Sequence, residues 1–181
     1  VETAFAVGAQ EVYRPDLAKA SHINFSFDPS PTLEDIALDV ESVIEMTGTP
    51  PAVLIIDTLM NIDVGGDDFG AVRQVPKACH HWARHYGCAV WLLHHCSEQP
   101  QWGPVHQCPP RAAIHGKISQ LPELIVTVAL TQDDHMLTCA VKNRNGPSWP
   151  KGDHPVALFA RPDRMSLYED SATYLAAGRA W

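Results

Sequence analysis

The chain has 181 residues, 45% of them hydrophobic and 19% charged, with five cysteines and a formal net charge of -8 at neutral pH. That composition fits one globular domain with a real core and excludes a disordered polar segment, and no apolar run approaches the roughly 18 residues a membrane-spanning helix needs. An acidic balance also excludes a protein that coats polyanions with uniform positive charge. The charge is uneven, however: residues 1–70 hold 13 Asp and Glu against Arg14 and Lys19, and the remainder holds 11 Lys and Arg against 8 acids. Any polyanion site is therefore expected in the later part. Cys79, Cys88, Cys96, Cys108 and Cys139 form an odd set without paired spacing, which predicts free thiols in a soluble, cytoplasmic protein.

In chain order, ETAFAVGAQEVY reads as a short helix closed by Arg14-Pro15, and HINFSF (22–27) alternates apolar and polar residues like a short strand. Thr32 is a candidate N-cap with Asp35 three residues on, and Ile36, Val40, Val43 and Ile44 recur at helical spacing up to Gly48. AVLIID (52–57) is a branched apolar run ending in one acid, as a strand buried on both faces would be. FGAVRQVPKACHHWARHYG predicts a helix with Val72, Val75, Cys79, Trp82 and Tyr86 inward. Pro76 marks either its start or a kink, and Gly87 stops it. CAVWLLHHC (88–96) is a second apolar strand. After a Pro- and Gln-containing loop come IHGKISQ, the strands LIVTVAL and MLTCAVKN, and a hairpin-like pair, PVALFA and RMSLYE. Strands alternating with helices early and consecutive strands late predict an α/β domain, a mostly parallel sheet with C-terminal antiparallel strands.

The ends of these strands carry the candidate chemistry, because ligands of open parallel sheets bind beyond the carboxyl ends. Asp57 is a lone carboxylate after an apolar strand, the Walker B pattern in which an acid orients magnesium near phosphates; by itself the pattern also fits any strand meeting a turn. His94 and His95 end the next strand, where imidazole can donate a hydrogen bond to a terminal phosphate. Lys142 and Arg144, two apart in extended chain, project on one side about 7 Å apart, a point charge and a fork suited to phosphate. Alone, a K-x-R beside a turn reads as two solvated charges. Cys96, His106 and Cys108 offer metal ligands, but their spacing matches no compact zinc motif. The single Gly-Lys pair, Gly116-Lys117, is not a P-loop, since Arg111 stands at the first glycine position and Ile118 at the Ser/Thr position.

Taken in order, SHINFSFDPSPTLEDI, AVLIIDTLMNI, CAVWLLHHCSE, ISQLPELIVTVAL, VKNRNGP and VALFARPDRMSLYED resemble the ATPase domain of DnaB-type hexameric replicative helicases, in the RecA-like superfamily. The resemblance covers about residues 22–170, and VKNRNGP is its most specific part. It implies a RecA-like fold and an ATP-driven DNA helicase or related DNA-remodelling motor using ATP and Mg2+. Asp57 would be the Walker B acid, and His95 the phosphate sensor where the family usually has glutamine. Lys142 and Arg144 would form the pair that reaches the γ-phosphate held by the neighbouring subunit of a homo-oligomeric ring, with Arg144 the arginine finger. Glu2 is the candidate remnant of the water-activating glutamate. Trp102 and Arg111, in the loop that faces single-stranded DNA in the family, are the candidate DNA contacts. The resemblance further implies that the family's P-loop precedes residue 1. The competing expectation is a non-catalytic RecA-like assembly module without a phosphate loop.

Overall fold

A computed structural model of the chain describes residues 20–66, 68–96, 107–131, 133, 135–161 and 166–178. The first helix, α1 (Leu33–Thr47), starts where Thr32 and Asp35 form a reciprocal capping box: the Thr32 hydroxyl accepts from the Asp35 amide at 3.1 Å, and the Asp35 carboxylate accepts from the Thr32 amide at 2.9 Å. It stops at Gly48, whose φ of 75° is the left-handed C-cap conformation that glycine adopts without strain. Ile36 and Val40 form its buried stripe, as the spacing predicts.

Strand β1 (Val53–Ile56) follows, then a 3-10 turn η1 (Leu59–Asn61), helix α2 (Asp68–Tyr86) and strand β2 (Ala89–Leu92). β1 and β2 pair in parallel, with Val53 opposite Ala89 and Ile56 opposite Leu92. This is a strand-helix-strand unit, because parallel neighbours need a crossover and α2 supplies it. Val72, Val75, Cys79 and Trp82 of α2 are buried with Ile36, Ile56, Leu59 and Ile62 in one core. Pro76 neither starts nor ends α2 but lies inside it. Its missing N–H costs one backbone hydrogen bond, while residues 75 and 76 are both buried, so tertiary packing overrides the local preference.

Two sequence expectations fail here. HINFSF is not a strand: residues 22–27 are exposed and pair with no strand among the described residues, and Phe25 stacks on Phe27 with ring centroids 5.8 Å apart. Alternation alone does not make a strand where no neighbour supplies a ladder. Nor is β1 covered on both sides. Leu54 and Ile56 face the helices, while Ile55 and Trp91 remain 61% and 64% exposed, because α1 and α2 pack on one face only.

The second half contains two 3-10 turns, η2 (Arg111–Ala113) and η3 (His115–Gln120), and then strands β3 (Leu124–Leu130), β4 (His135–Asn143), β5 (Val156–Arg161) and β6 (Ser166–Tyr168), before helix α3 (Ser171–Gly178). The four strands form an antiparallel sheet in sequence order. Leu137, Cys139 and Val141 of β4 bury with Cys108 in a second core. Burial pushes the Cys79 thiol up to about 12 and the Cys108 thiol to about 11, so both stay protonated as small apolar groups. η3 joins the halves, since Gly116, at φ 75°, lies against the Val72 side chain of α2 so closely that a Cβ there would collide with it.

The fold is α/β as expected, with the parallel pair and the antiparallel strands as two hydrogen-bonded sheets. Among the described residues, no helix is long and apolar enough to cross a membrane.

Candidate functional site

Asp57 is the first residue beyond β1, and the Asp57–Thr58 peptide is cis. The ladder continues one step past β2, since the Leu93 amide donates to the Ile56 carbonyl at 2.9 Å. Asp57 and the His94–His95 pair therefore emerge at the same end of the parallel sheet. Asp57 is exposed, and no hydrogen bond or ion pair engages its carboxylate among the described residues.

The two histidines differ. His94 is half-buried, and its Nε2–H donates to the His115 carbonyl at 3.0 Å. Burial lowers its pKa, partly opposed by that carbonyl, so the ring is neutral near pH 7. Its Nδ1 is buried without a partner among the described residues. His95 is exposed, its ring centroid 6.5 Å from that of His94. Of the two, His95 is the ring available to a ligand and His94 the one tied to η3.

Lys142 and Arg144 come together at the end of β4, as their spacing predicts. Ile125 pairs with Lys142 but Val126 pairs with Ala140, so β4 carries one extra residue, Val141, immediately before the cations. A bulge bends its strand and re-aims adjacent side chains. Beyond it the Asn145 amide donates to the Asn143 Oδ1 at 3.0 Å, a local turn that accounts for the Asn-x-Asn-Gly chemistry.

The Lys142 Nζ donates to the carbonyls of Gln120 (3.0 Å) and Pro122 (2.6 Å). One guanidinium N–H2 of Arg144 donates to the same Gln120 carbonyl at 2.8 Å, and the other to the Glu123 carboxylate at 2.7 Å. Arg111 completes the group with a longer bond, 3.4 Å, to the Ser119 carbonyl. Partial burial, then the nearby Arg144 and Arg111 charges, hold Lys142 below its usual pKa, with Glu123 pulling the other way. Three cations thus gather around carbonyls 119 to 122 with Glu123 as the carboxylate that pairs with one of them.

Sequence reasoning brought Lys142 and Arg144 together but missed Glu123 and the carbonyl set. The relevant signal was the helical-to-strand transition QLPEL, which leaves carbonyls without ladder partners. Arg111 was expected in a DNA-facing loop; its charge also belongs to this cluster. Glu2, Trp102 and His106 lie outside the described residues. Of the remaining zinc candidates, Cys108 is fully buried and Cys96 half-buried, and no group of three His, Cys, Asp or Glu is placed to hold a metal among the described residues. Those thiols do not suit magnesium, a hard cation that keeps several waters and takes one or two carboxylates plus substrate phosphates rather than a protein cage. Asp57 is an exposed carboxylate of that kind.

The AAA domain family model matches residues 6–101, more than half of the chain, and the chain belongs to that family. It is 28% identical over 156 residues to the Gene 65 protein of Mycobacterium phage D29, covering 80% of this chain and 65% of that protein. It is likewise 28% identical over 155 residues to the Gene 65 protein of Mycobacterium phage L5, covering 80% and 56%. The chain therefore spans about three-fifths of the length of these relatives. Among solved structures it is similar to one described as an ATPase domain, with TM-score 0.63, 12% identity, and 78% of this chain and 52% of that one covered. A DnaB-like replicative helicase, described with its interactions with primase, aligns with TM-score 0.66 at 14% identity over 81% of this chain and 37% of that one. At such identities the likeness is one of fold, which the chain shares with these ATPase-domain and helicase structures.

Proposed function

We propose that this chain is the core of an ATP-driven DNA helicase or related DNA-remodelling motor, working as a homo-oligomeric ring with each ATP site shared between subunits. The carrying observation is the cluster at the end of β4: Lys142 and Arg144 lie side by side on carbonyls of their own chain, a pair of cations ready for an anion brought by another molecule. Asp57 and His95 emerge together at the other site, beyond the parallel strands. In this reading Asp57 holds waters of a magnesium ion, which supplies charge neutralisation at the phosphates, and His95 donates to the terminal phosphate. Lys142 and Arg144 neutralise charge spreading over the phosphate oxygens held by the neighbour. Glu2 activates the attacking water, and Trp102 and Arg111 contact single-stranded DNA by stacking and charge. Residues 1–181 contain no G-x-x-x-x-G-K-[ST] run.

The experiment is a mixing assay on the full-length protein. Asp57→Asn and Arg144→Ala subunits should each lack ATP turnover and regain part of it when mixed, because some interfaces then join an intact Asp57 to an intact Arg144. No recovery in rings shown to contain both variants would rule out action between subunits.

A further inference from the structure

We propose that Glu123 is a positioning residue that parks Arg144 on its own subunit and competes with the neighbour's phosphate for it. The inference rests on the reading of Arg144 given above, but its geometry is independent of that reading. Arg144 is held to residue 123 twice: its amide donates to the Glu123 carbonyl at 3.0 Å, and its guanidinium to the Glu123 carboxylate at 2.7 Å. The second guanidinium N–H2 rests on Gln120, the carbonyl that also accepts Lys142. Glu123 thus takes the half of the fork that a phosphate would need for bidentate binding, while the backbone bond keeps the residue in place whichever partner the side chain chooses.

The magnitudes favour a latch that can be released. The two side chains are 48% and 51% exposed, and an exposed ion pair holds its partners by no more than about fivefold in an equilibrium constant. A phosphate with its multiple charge outcompetes such a pair. The latch therefore keeps the guanidinium ordered and off stray anions without blocking its use. The far end of the same segment is tied to the β2 tip by the His94 bond to the His115 carbonyl, so the parking element spans the two candidate sites of one subunit.

Two measurements test this. On the isolated chain, phenylglyoxal modification of Arg144, followed by mass spectrometry, should be about two- to fivefold faster in Glu123→Gln than in the wild type, with Glu123→Asp close to wild type. In the full-length protein, Glu123→Gln should raise ATP turnover by a similar factor, and the gain should vanish in an Arg144→Ala background. An unchanged modification rate, a fall in turnover, or a gain that persists without Arg144 would each overturn the proposal. Turnover that survives Arg144→Ala would instead overturn the reading of Arg144 as the finger, and the modification rate would still decide whether Glu123 parks it.

Discussion

The tip of the parallel sheet and the end of β4 present opposite charges in opposite states. Asp57 is exposed with no partner among the described residues, whereas Lys142 and Arg144 are bonded to carbonyls and to Glu123. A strand-end carboxylate can stay open because water solvates it fully. Long cationic side chains carry more rotamer freedom, and neighbouring acceptors are what give them one position. In the proposed function the difference would suit two tasks: one region would receive a hydrated cation, and the other would exchange weak intramolecular acceptors for an anion.

The largest effect expected at either end is Arg144→Ala, which should lower ATP turnover of the full-length protein by about 10³- to 10⁵-fold while nucleotide affinity stays nearly unchanged. Equal loss of binding and turnover would undo the contrast. Asp57→Asn should come next, with a loss of about 10²-fold or more. Titration with Mg2+ should show a raised half-saturating Mg2+ concentration for this variant alone.

The joint between the regions can be broken separately. Gly116→Ala places a Cβ into the Val72 side chain at a backbone φ of 75°, and strain plus overpacking should cost about 2 kcal/mol or more of stability. Val72→Ala in the same molecule should restore part of it in a denaturant titration. A stability unchanged by Gly116→Ala would mean that η3 does not bear on α2.

The smallest effect confines itself to the parallel half. Thr32→Ala removes the α1 cap and should cost about 1 kcal/mol, with hydrogen exchange faster in α1 and unchanged in β3 and β4. The acid limb checks the same contact. The Thr32 hydroxyl and then its amide hold the Asp35 carboxyl below its usual 3.8, so the contribution is complete above that value and fades as pH falls through the lower folded value. Thr32→Ala should flatten this part of the pH–stability curve.

Much of this was legible because it is local. The Thr32–Asp35 box, the 3.6-residue stripe of Ile36 and Val40 and the left-handed stop at Gly48 follow from contacts within a turn or two of one helix, while β1 and β3 were marked by runs of branched residues. HINFSF misled for the complementary reason, since a strand is made by a partner that periodicity does not report. The cationic outer face of α2, a shallow groove of about 370 Å³ lined by Lys77, His80, His81, Arg84 and His85, was visible only as an acid-free run from residue 69 to 97.

By itself, then, the sequence determined the order of helices and strands from α1 to β6, the caps, the acid beyond β1 and the pair of cations at the end of β4, because each depends on side-chain period and on strand ends. Only the tertiary structure decided which histidine is tied and which is open, that Val141 bulges β4 just before Lys142, and that Glu123 and the Gln120 and Pro122 carbonyls hold Lys142 and Arg144. Those are contacts between residues about 20 positions apart, fixed by how β3 and β4 register and how η3 packs on α2, and no local pattern encodes them.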